Sequence, residues 1–186
     1  MSFSINDIYR DGLSNGYGKA AAEKRFSILD RFSFSSVLDV GSGPCFLQDW
    51  LRLKDIKVHY EAVDIRPEAL AHCKCPTYSA IPVSGKYDLV CLFGTVTYNI
   101  DRDELKNKLI LKQLLQSAKK VCSSTLIFTV FKETLKDELR VFQQDRFVYF
   151  SKVEIRNLLL SIGISNFEIL EENQLDKSEY FVVCKM

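Results

Sequence analysis

The run Val37-Leu-Asp-Val-Gly-Ser-Gly-Pro-Cys45 restricts what this chain can fold into more than any other part of it. Val37, Leu38 and Val40 read as a strand covered on both faces. Gly41 and Gly43 let the backbone turn sharply and leave no Cβ between the chain and whatever approaches it. The residues that follow, to Leu53, place Phe46, Leu47, Trp50 and Leu51 on one helical face. A second strand, about 57–63, then ends in Asp64. Strand, glycine turn, helix and strand together build a crevice at the carboxyl ends of the strands, where a carboxylate can accept the hydroxyls of a ribose.

The rest of the chain continues the alternation. Residues 19–31 have strong helix formers, with Ala22, Phe26 and Leu29 at helical spacing. A segment with Gly12, Gly16, Tyr17 and Gly18 precedes them and reads as a loop. Pro67 starts a brief helix to about Cys73, a weak strand lies near 76–80, and Tyr87–Phe93 reads as a buried strand. Asp101–Val121 reads as the longest helix, acidic in its first turn and basic in its last, as the helix dipole favours. Ser124–Phe131 reads as a strand. Ser151-Lys-Val-Glu154 is a capping box opening a helix to about Ser161, which Gly163 ends. Ile164–Leu170 and Tyr180–Lys185 read as a final hairpin. This pattern predicts a single-domain α/β protein with a mostly parallel sheet and one antiparallel strand.

Two ligand chemistries suit such a crevice. A dinucleotide site wants a third glycine three residues beyond the second, where this chain has Phe46. The alternative pattern is an acidic residue, then Gly-x-Gly, with a second acid closing the next strand. Asp39-Val-Gly-Ser-Gly-Pro-Cys45 and Val63-Asp-Ile-Arg-Pro-Glu-Ala-Leu70 resemble motifs I and II of the class I S-adenosylmethionine-dependent methyltransferases. Cys45 stands where that family has its third glycine. The resemblance covers about residues 19–186. It implies a Rossmann-like, doubly wound sheet of seven strands in the order 3-2-1-4-5-7-6, with strand 7 antiparallel.

More narrowly, Gly16-Tyr17-Gly18, Arg25-Phe26 and the aromatic run Phe147–Phe150 resemble a bacterial-type group of small methyltransferase-domain proteins. The resemblance implies S-adenosyl-L-methionine as cofactor, with Asp39, Gly41, Ser42, Gly43, Asp64, Ile65, Phe93, Gly94 and Tyr17 around it. Asp39 would orient the ammonium, Asp64 would hold the ribose diol and Ile65 would pack on adenine. Residues 1–18 would form a lid. The family's acidic third motif is missing from Tyr78–Gly85, where backbone near Ser79 and Ala80 would have to replace it. Leu92–Asn99 is not the Asn/Asp-Pro-Pro-aromatic signature of nitrogen methylation on bases or glutamine. Tyr98 and Asn99 are the polar groups expected at the acceptor and are the candidate catalytic residues.

Charge and composition narrow the partners. Lysine and arginine total 25 against 24 acidic residues, a net charge of +1, so no basic surface argues for nucleic acid. The apolar runs are well short of the ~18 residues that cross a membrane. The first residues lack the regions of a signal peptide, and the six cysteines read as reduced thiols, so a cytoplasmic location is expected. His72-Cys73-Lys74-Cys75 lacks the spacing of a zinc site, and no metal is expected. Cys91 reads as a core thiol. His59 and His72 are weak candidates for a base. Phe142, Phe147, Tyr149 and Phe150 suit a lid or core better than base stacking. The expected activity is methyl transfer to a small-molecule acceptor. A non-catalytic methyltransferase-like binding module and an NAD-dependent oxidoreductase are the rival readings, and the oligomeric state is open.

Overall fold

One mixed sheet organises the computed structural model, which describes residues 19–95, 104–135, 148–171 and 179–186. Its strands are β1 (Ser36–Val40), β2 (His59–Val63), β3 (Thr77–Tyr78), β4 (Tyr87–Leu92), β5 (Cys122–Lys132), β6 (Tyr149–Phe150), β7 (Phe167–Leu170) and β8 (Glu179–Lys185). They lie in the order β3-β2-β1-β4-β5-β8-β7, with β6 added to β5. β8 runs antiparallel to both of its neighbours, and the pairs from β3 to β5 are parallel. Once the short β6 is counted, this is the order that the sequence implied.

Alternation along the strands sorts the core into two layers. Leu38, Val40, Val90, Leu92, Leu126 and Phe128 face α3 (Glu104–Val121) and α4 (Lys152–Ser161) through Leu111, Leu115, Ile155 and Leu159. Val37, Ala62, Leu89, Cys91, Ile127 and Phe181 face α1 (Lys19–Phe26) and α2 (Phe46–Leu53) through Phe26, Leu47, Trp50 and Leu51. The sheet is therefore covered on both faces, which is why its strands read as continuous apolar runs.

The capping box on α4 is present: the Glu154 N–H donates to Ser151 Oγ at 3.2 Å and the Ser151 N–H to Glu154 Oε2 at 2.8 Å. Lys119, read as a dipole partner of its own helix, instead donates to the carbonyls of Ile162 and Gly163 where α4 ends. The first helix is shorter than expected. It passes at Ser27 into a 3-10 turn, Ser27–Arg31, where the Ser27 hydroxyl donates to the Lys24 carbonyl. The segment after Pro67 is likewise a 3-10 turn, Ala69–His72.

The strand that the sequence did not show is β6. Phe131 pairs with Tyr149 on one edge of β5 and with Glu179 on the other. β6 therefore extends the edge that β4 occupies, beyond the last β4 residue paired there, Leu92. Tyr149 and Phe150 are buried, which places them in the core. Phe142 and Phe147 lie outside the described residues. No helix among the described residues is long and apolar enough to cross a membrane.

Candidate functional site

The carboxyl ends of β1, β2 and β4 come together at the glycine turn. Gly41 (φ 75°) and Gly43 (φ 51°) both take left-handed backbone. The turn is tied to β2 because the N–H groups of Gly41 and Ser42 donate to the Val63 carbonyl at 2.7 and 3.1 Å. From β4, the Gly94 N–H donates to the buried Thr129 hydroxyl at 2.9 Å, and the Thr95 hydroxyl donates to the Val40 carbonyl at 2.5 Å. Thr95 lies so close that a Cβ built on Gly41 would meet its side chain at 2.6 Å. Gly41→Ala should therefore cost about 1–2 kcal/mol for the backbone alone, and more for displacing Thr95. Urea unfolding measures this, and a variant as stable as wild type would contradict it.

Asp64 closes β2 as expected, and its carboxylate is engaged. The Gly43 N–H donates to Oδ2 at 3.0 Å, and the Arg66 N–H and Nε donate to Oδ1 at 3.0 and 3.2 Å. Arg66 Nη2 reaches Oδ2 at 3.5 Å. A carboxylate offers about four lone-pair sites, and these donors fill them. Asp64 is 5% exposed. Beside it, Ile65 is 70% exposed, an apolar side chain left open at the mouth of the crevice.

Asp39 lies deeper, on the α2 side of the sheet, between Ala62 and Cys91 of the neighbouring strands. It accepts the Tyr60 hydroxyl at 2.6 Å. Burial pushes its carboxyl up to about 7, opposed by the tyrosine bond and reinforced by the negative charge of Asp64. Cys91 is fully buried, and burial pushes its thiol well up, as suits a core residue. The Phe93 ring packs edge-to-face on Phe26 at 5.6 Å, so it anchors α1 to the exit of β4. Tyr17, Tyr98 and Asn99 lie outside the described residues. His59 opens β2 at the end away from the crevice and bonds Glu61 at 2.7 Å.

One expectation is corrected. The cysteines are not uniformly reduced, because Cys45 and Cys73 form a disulfide with their Cα atoms 5.6 Å apart. The turn after β1 and the segment after β2 both lie over the same end of the sheet, which brings together residues separated by 28 in sequence. Cys45, in the third-glycine position, also takes left-handed backbone, φ 59°. Cys75, Cys91, Cys122 and Cys184 are free.

This arrangement can be set beside solved structures. The chain matches a candidate O-methyltransferase of Nostoc punctiforme with a TM-score of 0.73 at 14% identity, over 98% of this chain and 61% of that one. It matches an S-adenosylmethionine-dependent methyltransferase of Clostridium acetobutylicum with a TM-score of 0.68 at 15% identity, over 97% of each chain. The fold is that of these methyltransferases. A third match, magnesium protoporphyrin IX methyltransferase of Synechocystis with S-adenosylhomocysteine bound, has a TM-score of 0.62 at 12% identity, over 100% of this chain and 89% of that one. No protein-family model and no curated protein matches the sequence.

Proposed function

We propose that this chain is an S-adenosylmethionine-dependent methyltransferase acting on a small-molecule acceptor. The observation that carries the reading is the meeting of the left-handed Gly41–Gly43 turn with the Asp64 carboxylate at the ends of two adjacent parallel strands. The chemistry present fits the cofactor. Gly41, Ser42 and Gly43 would line its aminoacyl end and ribose, Asp39 would face its ammonium, and Asp64 would take the ribose diol in exchange for the Arg66 guanidinium. Ile65, exposed beside Asp64, supplies an apolar surface for adenine. The cofactor brings a methyl group already activated on a sulfonium, so the protein's work is chiefly alignment and exclusion of water.

Alignment is where the chain's own residues act. Thr129 and the Val40 carbonyl hold Gly94 and Thr95 as the floor between donor and acceptor. Tyr98 and Asn99, a few residues beyond, are proposed to contact the acceptor, and Tyr17 to close over the cofactor. The small-molecule assignment draws support from the acceptor named for the Synechocystis neighbour, magnesium protoporphyrin IX. Phe46, in place of the glycine that a dinucleotide site wants, argues against NAD.

Calorimetry with S-adenosylmethionine, S-adenosylhomocysteine and NAD tests the reading. The first two should bind and the third should not, and failure of both sulfur ligands to bind would sink it. Asp64→Ala should weaken S-adenosylhomocysteine binding by about 1.5–3 kcal/mol, the worth of charge-assisted hydrogen bonds. Unchanged affinity would leave Asp64 with the structural role its present bonds describe.

A further inference from the structure

We propose that Cys45 and Cys73 form a reversible disulfide that controls ligand binding at the glycine turn, the thiol form binding and the disulfide form resisting. The proposal rests on the methyltransferase reading of that turn. Its basis is what the bond joins. Cys45 ends the turn and starts α2, and Cys73 follows the 3-10 turn beyond Asp64 and Arg66. The same two segments are joined non-covalently by the bond from the Gly43 N–H to Asp64. Cys73 Sγ also lies 3.9 Å from the Gly43 carbonyl. The disulfide thus ties the Gly43 turn to the segment that carries Asp64, the carboxylate that a ribose diol needs. In this proposal a ribose seated on Asp64 displaces the Gly43 N–H as well as the Arg66 guanidinium, and the covalent link restrains that movement of the turn.

The two sulfurs differ in access. Cys45 is buried, whereas Cys73 is partly exposed, so Cys73 is the sulfur that an external thiolate reaches. A dithiol attacks Cys73 Sγ, the S–S bond breaks and Cys45 leaves as a thiol. The second thiol of the reductant then displaces Cys73 from the mixed disulfide. Two electrons and two protons pass to the protein, and the dithiol leaves as its own disulfide. An oxidised disulfide such as that of glutathione reverses the exchange. By linkage, a ligand that prefers the thiol form must favour reduction by the same factor.

The test uses the whole chain, prepared with oxidised glutathione or with dithiothreitol and mapped by thiol alkylation. S-adenosylhomocysteine titrated into each form should bind the reduced protein roughly tenfold tighter. The ligand should raise the ease of reduction by the same factor, about 30 mV for a two-electron couple. Cys73→Ser, which cannot form the bond, should match reduced wild type under both conditions. Equal affinity in the two wild-type forms, tighter binding by the oxidised form, or free Cys45 and Cys73 after oxidation would each overturn the proposal. Binding by neither form would fail the methyltransferase reading and this proposal with it, an outcome distinct from equal binding by both.

Discussion

Replacing Arg25 with methionine is expected to destabilise the protein by about 3–5 kcal/mol, the cost of breaking a buried ion pair from one side. Arg25 Nε donates to Glu179 Oε2 at 2.7 Å and Nη2 to Oε1 at 3.2 Å, a two-pronged arrangement that lysine could not reproduce. The side chains are 8% and 0% exposed, so water cannot take over when the guanidinium is removed. For a chain of this size the midpoint of thermal unfolding should fall by roughly 10 °C. A second substitution, Glu179→Leu, should recover most of the loss by removing the buried carboxylate, since an apolar pair of similar volume is often as stable as the ion pair. The double-mutant cycle reads the coupling directly. A loss under 1 kcal/mol in the single variant would mean that Glu179 finds water or another donor. The pair matters beyond stability because it pins α1, the element entering from the Tyr17 segment, to the start of β8 beside the crevice.

Which parts of this were legible in the sequence follows from the range of each signal. The glycine turn and the capping box at Ser151–Glu154 are local patterns, and both stand where they were expected. The two strand faces were legible because burial on both sides makes the runs apolar throughout. β6 was not, since two residues are too few to carry a period. Arg25 and Glu179 are 154 positions apart and Cys45 and Cys73 are 28 apart, so both pairs exist only through the fold. The apolar setting that made the cysteines read as reduced packing thiols is right for Cys91, Cys122 and Cys184, which are buried and free. It missed the pair that the crossing of two loops creates. At Asp64 the sequence placed the carboxylate at the end of the second strand, and the contact that went unread is that of Arg66, two residues on. That contact is local, and an acid followed at this spacing by arginine is the signal that was available.

The pH dependence of stability should change sharply on replacing Asp39 with asparagine. In the folded protein this carboxyl is pushed from 3.8 up to about 7, with burial the largest cause. The folded state therefore keeps a proton that the unfolded chain releases near pH 4, and it binds more protons than the unfolded state between those limits. Stability falls as the pH rises through that window, and the penalty is fully present above pH 7. It amounts to roughly 4 kcal/mol. Asparagine keeps an oxygen for the Tyr60 hydroxyl and cannot ionise. Any cost of burying its amide does not vary with pH, so it cancels when the stability difference between variant and wild type is followed from pH 4 to pH 8. That difference should move in favour of the variant by roughly 4 kcal/mol across the range in urea unfolding. A flat difference would mean that Asp39 ionises as freely in the fold as outside it. If Asp39 faces the cofactor's ammonium, the same titration should appear in binding: wild-type affinity for S-adenosylhomocysteine rises as the pH passes 7, and the Asp39→Asn variant loses that rise. A variant that binds with the wild-type pH profile would move the ammonium contact elsewhere in the turn.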